Sequence, residues 1–239
     1  MKELIKFSLH DYIRSHKYFP PVSTYLILVS VFYTYKPNPV VDSYAVTALM
    51  LYVISSWLCI SFLSLDHPVQ KQLMILNLKS RARYYVSKLI SVWFISVILT
   101  IYAFLYPIVF NMFNEPVSMS AGFVSLANHL VLATLGISVA SLFSKTLMRS
   151  AISSYGGLVL ISTISLAALG IYKILPSAIK NIVWLLPPAT ITQSQLVNWN
   201  GKNISELSLF PFVWVSIYSL LIIFLFLKLT KRSRKNDLV

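Results

Sequence analysis

The chain has 239 residues, of which 57% are hydrophobic and only 11% charged, and its formal net charge is +13. A soluble domain carries about 25% charged residues, so this composition excludes an ordinary soluble fold and calls for a bilayer. A single cysteine, Cys59, excludes an intrachain disulfide and a cysteine metal cluster.

Six long apolar stretches read as able to cross a bilayer carry no Asp, Glu, Lys or Arg: 19–35, 43–63, 89–110, 121–143, 151–172 and 207–227. A hydrocarbon core of about 30 Å needs about 20 helical residues, with about 17 as the lower limit. The first stretch sits near that limit. Backbone groups in lipid must bond within their own segment, which predicts helices. The expected fold is an all-α membrane protein with six transmembrane helices, a single domain over 1–239.

Three segments outside the spans are longer than simple connection requires. Residues 1–18 place Lys2, Glu3, Lys6, His10, Arg14 and Lys17 on one helical arc and Leu4, Ile5, Phe7, Leu9 and Tyr12 on the rest, with Asp11 as an exception. That pattern predicts an amphipathic helix on the membrane surface, ended by Phe19-Pro20-Pro21.

Residues 64–88 form the second segment. Asp66 can cap a helix, and Pro68 fits a first turn. Val69, Leu73 and Leu76 make one apolar ridge; Met74 and Leu78 make another. Ser80 can cap the next helix, which carries Arg81, Arg83 and Lys88 toward the third span. Two separate ridges on a short helix suggest contact with two bodies: its own membrane domain and either a cytoplasmic partner or lipid. The third segment, 173–206, contains Ile182-Val183-Trp184-Leu185-Leu186-Pro187-Pro188, too short to span and too apolar for a free loop. A re-entrant or interfacial helical hairpin is expected, with Trp184 and Trp199 at head-group level.

Sixteen of the 20 basic residues fall on the side that holds both termini. They are Lys2, Lys6, Arg14 and Lys17; Lys71, Lys79, Arg81, Arg83 and Lys88; Lys145 and Arg149; and Lys228, Lys231, Arg232, Arg234 and Lys235. Lys36, Lys173, Lys180 and Lys202 lie on the other side. The positive-inside rule then predicts cytoplasmic termini. The positive charge is read as facing anionic lipid, with no nucleic-acid partner.

The chain contains no Walker loop, no His-Glu-x-x-His and no Gly-x-Ser-x-Gly. Its seven acidic residues are scattered outside the charge-free stretches, so an enzyme is not expected. His129 is the one ionisable side chain inside a stretch, beside Asn128. It is read either as a functional group or as a neutral histidine bonded to a neighbouring helix. Small residues four apart, Gly136, Ala140 and Ser144, then Ser150 and Ser154, and Ser153 and Gly157, predict close helix packing.

The layout as a whole resembles the ABC-2-type permease family, in particular small bacterial permeases for peptide export or peptide immunity. The resemblance rests on the amphipathic start, six spans and the inner segment reading Asp66, Leu73-Met74-Ile75-Leu76, then Lys79-Ser80-Arg81-Ala82-Arg83. The family's usual Glu-Arg-Gly-Thr-like start is replaced here by Asp66-His67-Pro68-Val69. The resemblance implies that 64–88 is a coupling helix docking on a separate ABC ATPase subunit, through Asp66, Val69, Leu73, Leu76, Arg81 and Arg83. Lys145 and Arg149 would form a smaller contact. It also implies a second permease copy or paralogue, a bacterial plasma membrane location, and no cofactor on this chain, with ATP and Mg on the partner. Tyr52, Trp57, His129, Ser153, Ser154 and Tyr155 are the implied substrate-path candidates, for a hydrophobic or amphipathic cargo. An ion-coupled secondary transporter would need mid-membrane groups, of which only His129 is available. A substrate-binding membrane component of an uptake system would not need the 64–88 segment.

Overall fold

The computed structural model describes residues 1–148, 150–177, 180–197 and 199–236, with the backbone alone for 181–182 and 232–236. The described residues are helical apart from connections, with one isolated bridge between Asn38 and Phe113 and no strand. Among the described residues nine α-helices follow in order: α1 (Lys2–Arg14), α2 (Phe19–Phe32), α3 (Val40–Leu63), α4 (Pro68–Leu78), α5 (Arg81–Val109), α6 (Met119–Leu142), α7 (Ala151–Ile174), α8 (Ile191–Leu196) and α9 (Phe210–Asn236). Five of them, α3, α5, α6, α7 and α9, are long and apolar enough to cross a membrane. At 14 residues, α2 is shorter. At 1.5 Å per residue it extends about 21 Å, less than the roughly 30 Å of a hydrocarbon core.

The helices overrun the charge-free stretches. α3 takes in Asp42, and α5 starts eight residues before 89, at Arg81, taking in Lys88. Serine starts three of them. Ser80, Ser118 and Ser150 each accept a hydrogen bond from a backbone N–H of the first turn, that of Arg83, Ala121 and Ser153. Each satisfies one donor that a helix start leaves without an internal partner.

α1 ends before the prolines, through a turn at Ser15–Tyr18 in which His16 takes a left-handed φ of 55°. Pro20 and Pro21 then open α2, where a missing N–H costs nothing. α1 rests on the bundle rather than only on a lipid plane. Ser8 and Tyr12 are buried, and the Tyr12 ring lies 4.7 Å from that of Phe62. Its hydroxyl donates to Ser61 Oγ at 3.3 Å, and burial pushes its pKa up to about 12. Phe7 and Ile13 stay exposed.

α3 is central: it packs along α6 for most of its length, and against α5 and α2. α6 also packs on α9. Gly136 permits the α3–α6 approach. A Cβ there would run into Ser55 Oγ and the Tyr52 carbonyl, with Ser56 Oγ at 2.9 Å. Gly157 likewise accommodates the Phe143 ring, whose nearest carbon would lie 2.7 Å from an added Cβ. α7 is the loosest member, with Ile152, Val159, Leu160 and Ile174 exposed.

Contacts sort the bundle into two ends. α1, α4, the start of α5 and Thr230 of α9 meet at one. The other holds the α5–α6 connection, where Lys36 Nζ donates to the Phe110 carbonyl at 3.0 Å, and the segment after α7. In that segment 3-10 turns at Lys180–Leu185 and Ile204–Glu206 flank α8. It is tied down by Ser165 on the Pro187 carbonyl, Tyr218 on the Leu185 carbonyl, and Ser118 and Ser120 on the Gly201 carbonyl. Short helical pieces thus stand where a helical hairpin was expected. Trp199 is buried, donating to the Asn203 carbonyl at 2.8 Å, while Trp184 is half exposed.

Candidate functional site

The site is built around α4. Its start is preorganised by His67, in extended backbone as N-cap, and Pro68 in the first turn. Asp66 does not cap it, contrary to the expectation, because its carboxylate is taken elsewhere. Lys88 Nζ lies 2.8 Å from Asp66 Oδ1, and Tyr84 donates its hydroxyl to Oδ2. The side chains of Lys88 and Asp66 are only 1% and 2% exposed. Lys88 also sits over the Phe62 and Tyr84 rings, 5.1 and 5.7 Å from their centroids. A buried charge needs a partner and hydrogen bonds, and here both are supplied by α5. The end of α3, the start of α4 and the first turns of α5 are fastened at one point.

A second tie holds the other flank of α4. Lys71 Nζ donates to Thr146 Oγ1 at 3.3 Å, Tyr85 donates to the same oxygen at 3.3 Å, and Lys71 stands 5.3 Å over the Tyr85 ring. The helix ends at Lys79, left-handed at φ 51°, and Ser80 starts α5.

Fixed in this way, α4 divides its apolar residues. Met74, Ile75 and Leu78 pack against the core. Val69, Leu73 and Leu76 point away and are 59%, 62% and 71% exposed. Of the other coupling candidates, Arg81 donates to the Thr230 carbonyl of α9 at 3.4 Å, and Arg83 and Lys145 are exposed. Arg149 lies outside the described residues.

The path candidates separate. Trp57 of α3 and Tyr155 of α7 line one groove of about 300 Å³, together with Ser56, Ser162 and Thr163. The Ser162 side chain is buried. Tyr52 and Ser154 are fully buried and outside this groove. Ser153 belongs to the start of α7, its Oγ 2.8 Å from Ser150 Oγ. His129 is on α6, fully buried against α3. Its Nδ1 faces the Ser125 carbonyl at 2.8 Å and its Nε2 faces Thr47 Oγ1 at 3.1 Å. A carbonyl only accepts, so the proton sits on Nδ1. Nε2 of the neutral ring then shares the single Thr47 hydroxyl proton with the Ser43 and Tyr44 carbonyls, which lie 3.2 and 3.1 Å from the same oxygen.

Sequence reasoning missed Ser56, Ser162 and Thr163 in the groove, and the Asp66–Lys88–Tyr84 cluster. Lys88 offered the one signal, an isolated cation at the edge of a long apolar run. Among the described residues no group of three or more His, Cys, Asp or Glu converges to hold a metal. Comparison with known proteins finds no family model, curated protein or solved structure that matches this chain. What geometry alone defines is a helical protein with five helices able to cross a membrane and, at one end of the bundle, a short anchored helix with an unpartnered apolar ridge.

Proposed function

We propose that this chain is the permease subunit of an ATP-driven exporter of the ABC-2 type, with α4 as its coupling helix. The observation that carries this reading is the division of α4. One apolar ridge is spent on the core, while Val69, Leu73 and Leu76 are left outward on a helix anchored at both flanks. A helix resting in lipid needs no such anchors. A helix that receives force from a separate ATPase does. In this reading α2, with its flanking residues, completes six spans in a bacterial plasma membrane, both termini are cytoplasmic, and ATP and Mg belong to the partner. A second permease copy faces the groove between α3 and α7. Trp57, Tyr155 and the hydroxyls of Ser56, Ser162 and Thr163 suit a hydrophobic or amphipathic cargo, such as a peptide, because they offer aromatic surface and hydrogen bonds without fixed charge. Engagement of both ring nitrogens of His129 favours ATP-driven over ion-coupled transport.

The test is on Leu73. Burying a leucine side chain against a partner is worth about 1.5–3 kcal/mol, and a carboxylate forced into the same apolar contact adds a penalty of the same sign. Leu73→Asp should therefore cut recovery of a MgATP-hydrolysing subunit with the tagged permease by about tenfold or more. Asn77→Asp, exposed on the same helix, serves as the charge control and should change recovery little. Lys71 is unsuited to that purpose because it is tied to Thr146. Failure of the wild-type chain to recover any such subunit, or equal recovery by Leu73→Asp, would overturn the reading.

A further inference from the structure

A cavity of about 720 Å³ lies between α5 and α6 at the end of the bundle opposite α4. Its size falls within the range of small-molecule sites, about 300–1,000 Å³. The walls change character with depth. Phe104, Ile108 and Phe123 belong to helices long enough to cross a membrane. Asn111, Asn114 and Glu115 form the mouth.

The crevice is preformed. Asn111, left-handed at φ 49°, turns the chain out of α5. Beyond it the Met112 carbonyl accepts from Asn38 N–H at 3.1 Å, and Asn114 N–H donates to the Asn38 carbonyl at 3.0 Å. Phe113 is seated edge-on against Tyr33, with centroids 5.8 Å apart. Gly122 keeps the floor open, since a Cβ there would lie 3.4 Å from Phe104 and any longer side chain would enter the cavity.

An apolar shaft with a polar mouth selects an amphiphile. Its charge selects further. Glu115 is the only ionisable residue lining the cavity, and it makes no ion pair with a described residue. Lys36 is held on the Phe110 carbonyl, and Lys202 borders the small neighbouring cavity that Glu115 shares. One acid in the mouth, with a lysine across the neighbouring cavity, matches a zwitterion with an ammonium tip.

We infer that the α5–α6 crevice seats a phospholipid of the phosphatidylethanolamine class, an acyl chain against Phe104 and Phe123 and the ammonium at Glu115. The cytoplasmic orientation of α4 proposed above places this seat in the outer leaflet; the seat itself does not depend on it. The experiment is photo-crosslinking of the whole chain in vesicles of equal phosphatidylethanolamine and phosphatidylglycerol, with adducts identified by mass spectrometry. The photo-reactive residue is Phe123→p-benzoylphenylalanine. Leu221→p-benzoylphenylalanine, on an exposed position of α9, reports ordinary surrounding lipid. The ethanolamine-to-glycerol adduct ratio at 123 should exceed that at 221 by about two- to fivefold, the range of an exposed ion pair. Glu115→Gln should bring it down to the level at 221. Gly122→Leu should lower total adduct at 123 and leave 221 unchanged. Equal ratios at the two positions, enrichment of phosphatidylglycerol, or enrichment that survives Glu115→Gln would overturn the assignment. None of these outcomes depends on an ATPase, so this inference and the proposed function fail separately.

Discussion

Asp66 has the most consequential side-chain placement in the chain. It begins the segment between two long apolar helices, and its carboxylate reaches a lysine 22 positions later. The pair is enclosed by Phe62 and Tyr84, so water cannot replace either partner. Removing one partner of a buried pair costs about 3–5 kcal/mol, whereas replacing both by apolar groups of similar size is often nearly neutral. Lys88→Met should therefore lower the melting temperature in detergent more than the double change Asp66→Leu with Lys88→Met. A double variant as unstable as the sum of the singles would mean that the two charges act independently. The same cluster fixes where α4 begins, so its stability also sets the aim of the outward ridge.

Among the elements, α3 and α6 show what small residues do in a bundle. Gly136 faces the Tyr52 carbonyl and two serine hydroxyls, all on α3. Gly156 on α7 has open space around it. Adding one methyl to each should have opposite effects. Gly136→Ala forces two helices apart and should cost about 1–3 kcal/mol, the usual range for overpacking. Gly156→Ala should be neutral or stabilising by up to about 1 kcal/mol, because alanine is the better helix former. Thermal melting of both variants in the same detergent checks the pair, and similar losses at both positions would contradict the packing described. The spacing of small residues was legible in the sequence. Which of them met backbone was not, because that depends on the rotation of α6 against α3.

For the whole molecule, the division into two ends predicts how the chain sits in a bilayer. The described basic side chains of α4, the start of α5 and the α6–α7 connection gather at one end, Lys36 and Lys202 at the other. Positive residues are retained on the cytoplasmic side. On a Cys59→Ser background, single cysteines replacing Lys36, Glu115 or Lys202 should react with an impermeant reagent in intact cells, and one replacing Lys79 should react only after lysis. Reaction at position 79 in intact cells would invert the orientation. Lys235, on the α4 side in the sequence reading, has its side chain outside the described residues.

The sequence by itself determined the helical character, the five long apolar segments, the serine cap at Ser80, and the two ridges of α4. These depend on composition, on period and on neighbours within four residues. It also marked α2 as marginal, and the structure makes it shorter still, ending it at Phe32 with Tyr33 as the C-cap packed against Tyr106 and Phe113. Tertiary structure alone decided that Asp66 pairs with Lys88 rather than capping α4, that Trp57 and Tyr155 share a groove while Tyr52 and Ser154 do not, and that α5 and α6 diverge to leave a crevice. Each of these joins residues from different helices. Hydropathy says that a helix is buried somewhere, but the angle at which it turns toward its neighbours is set by the packing of all of them at once.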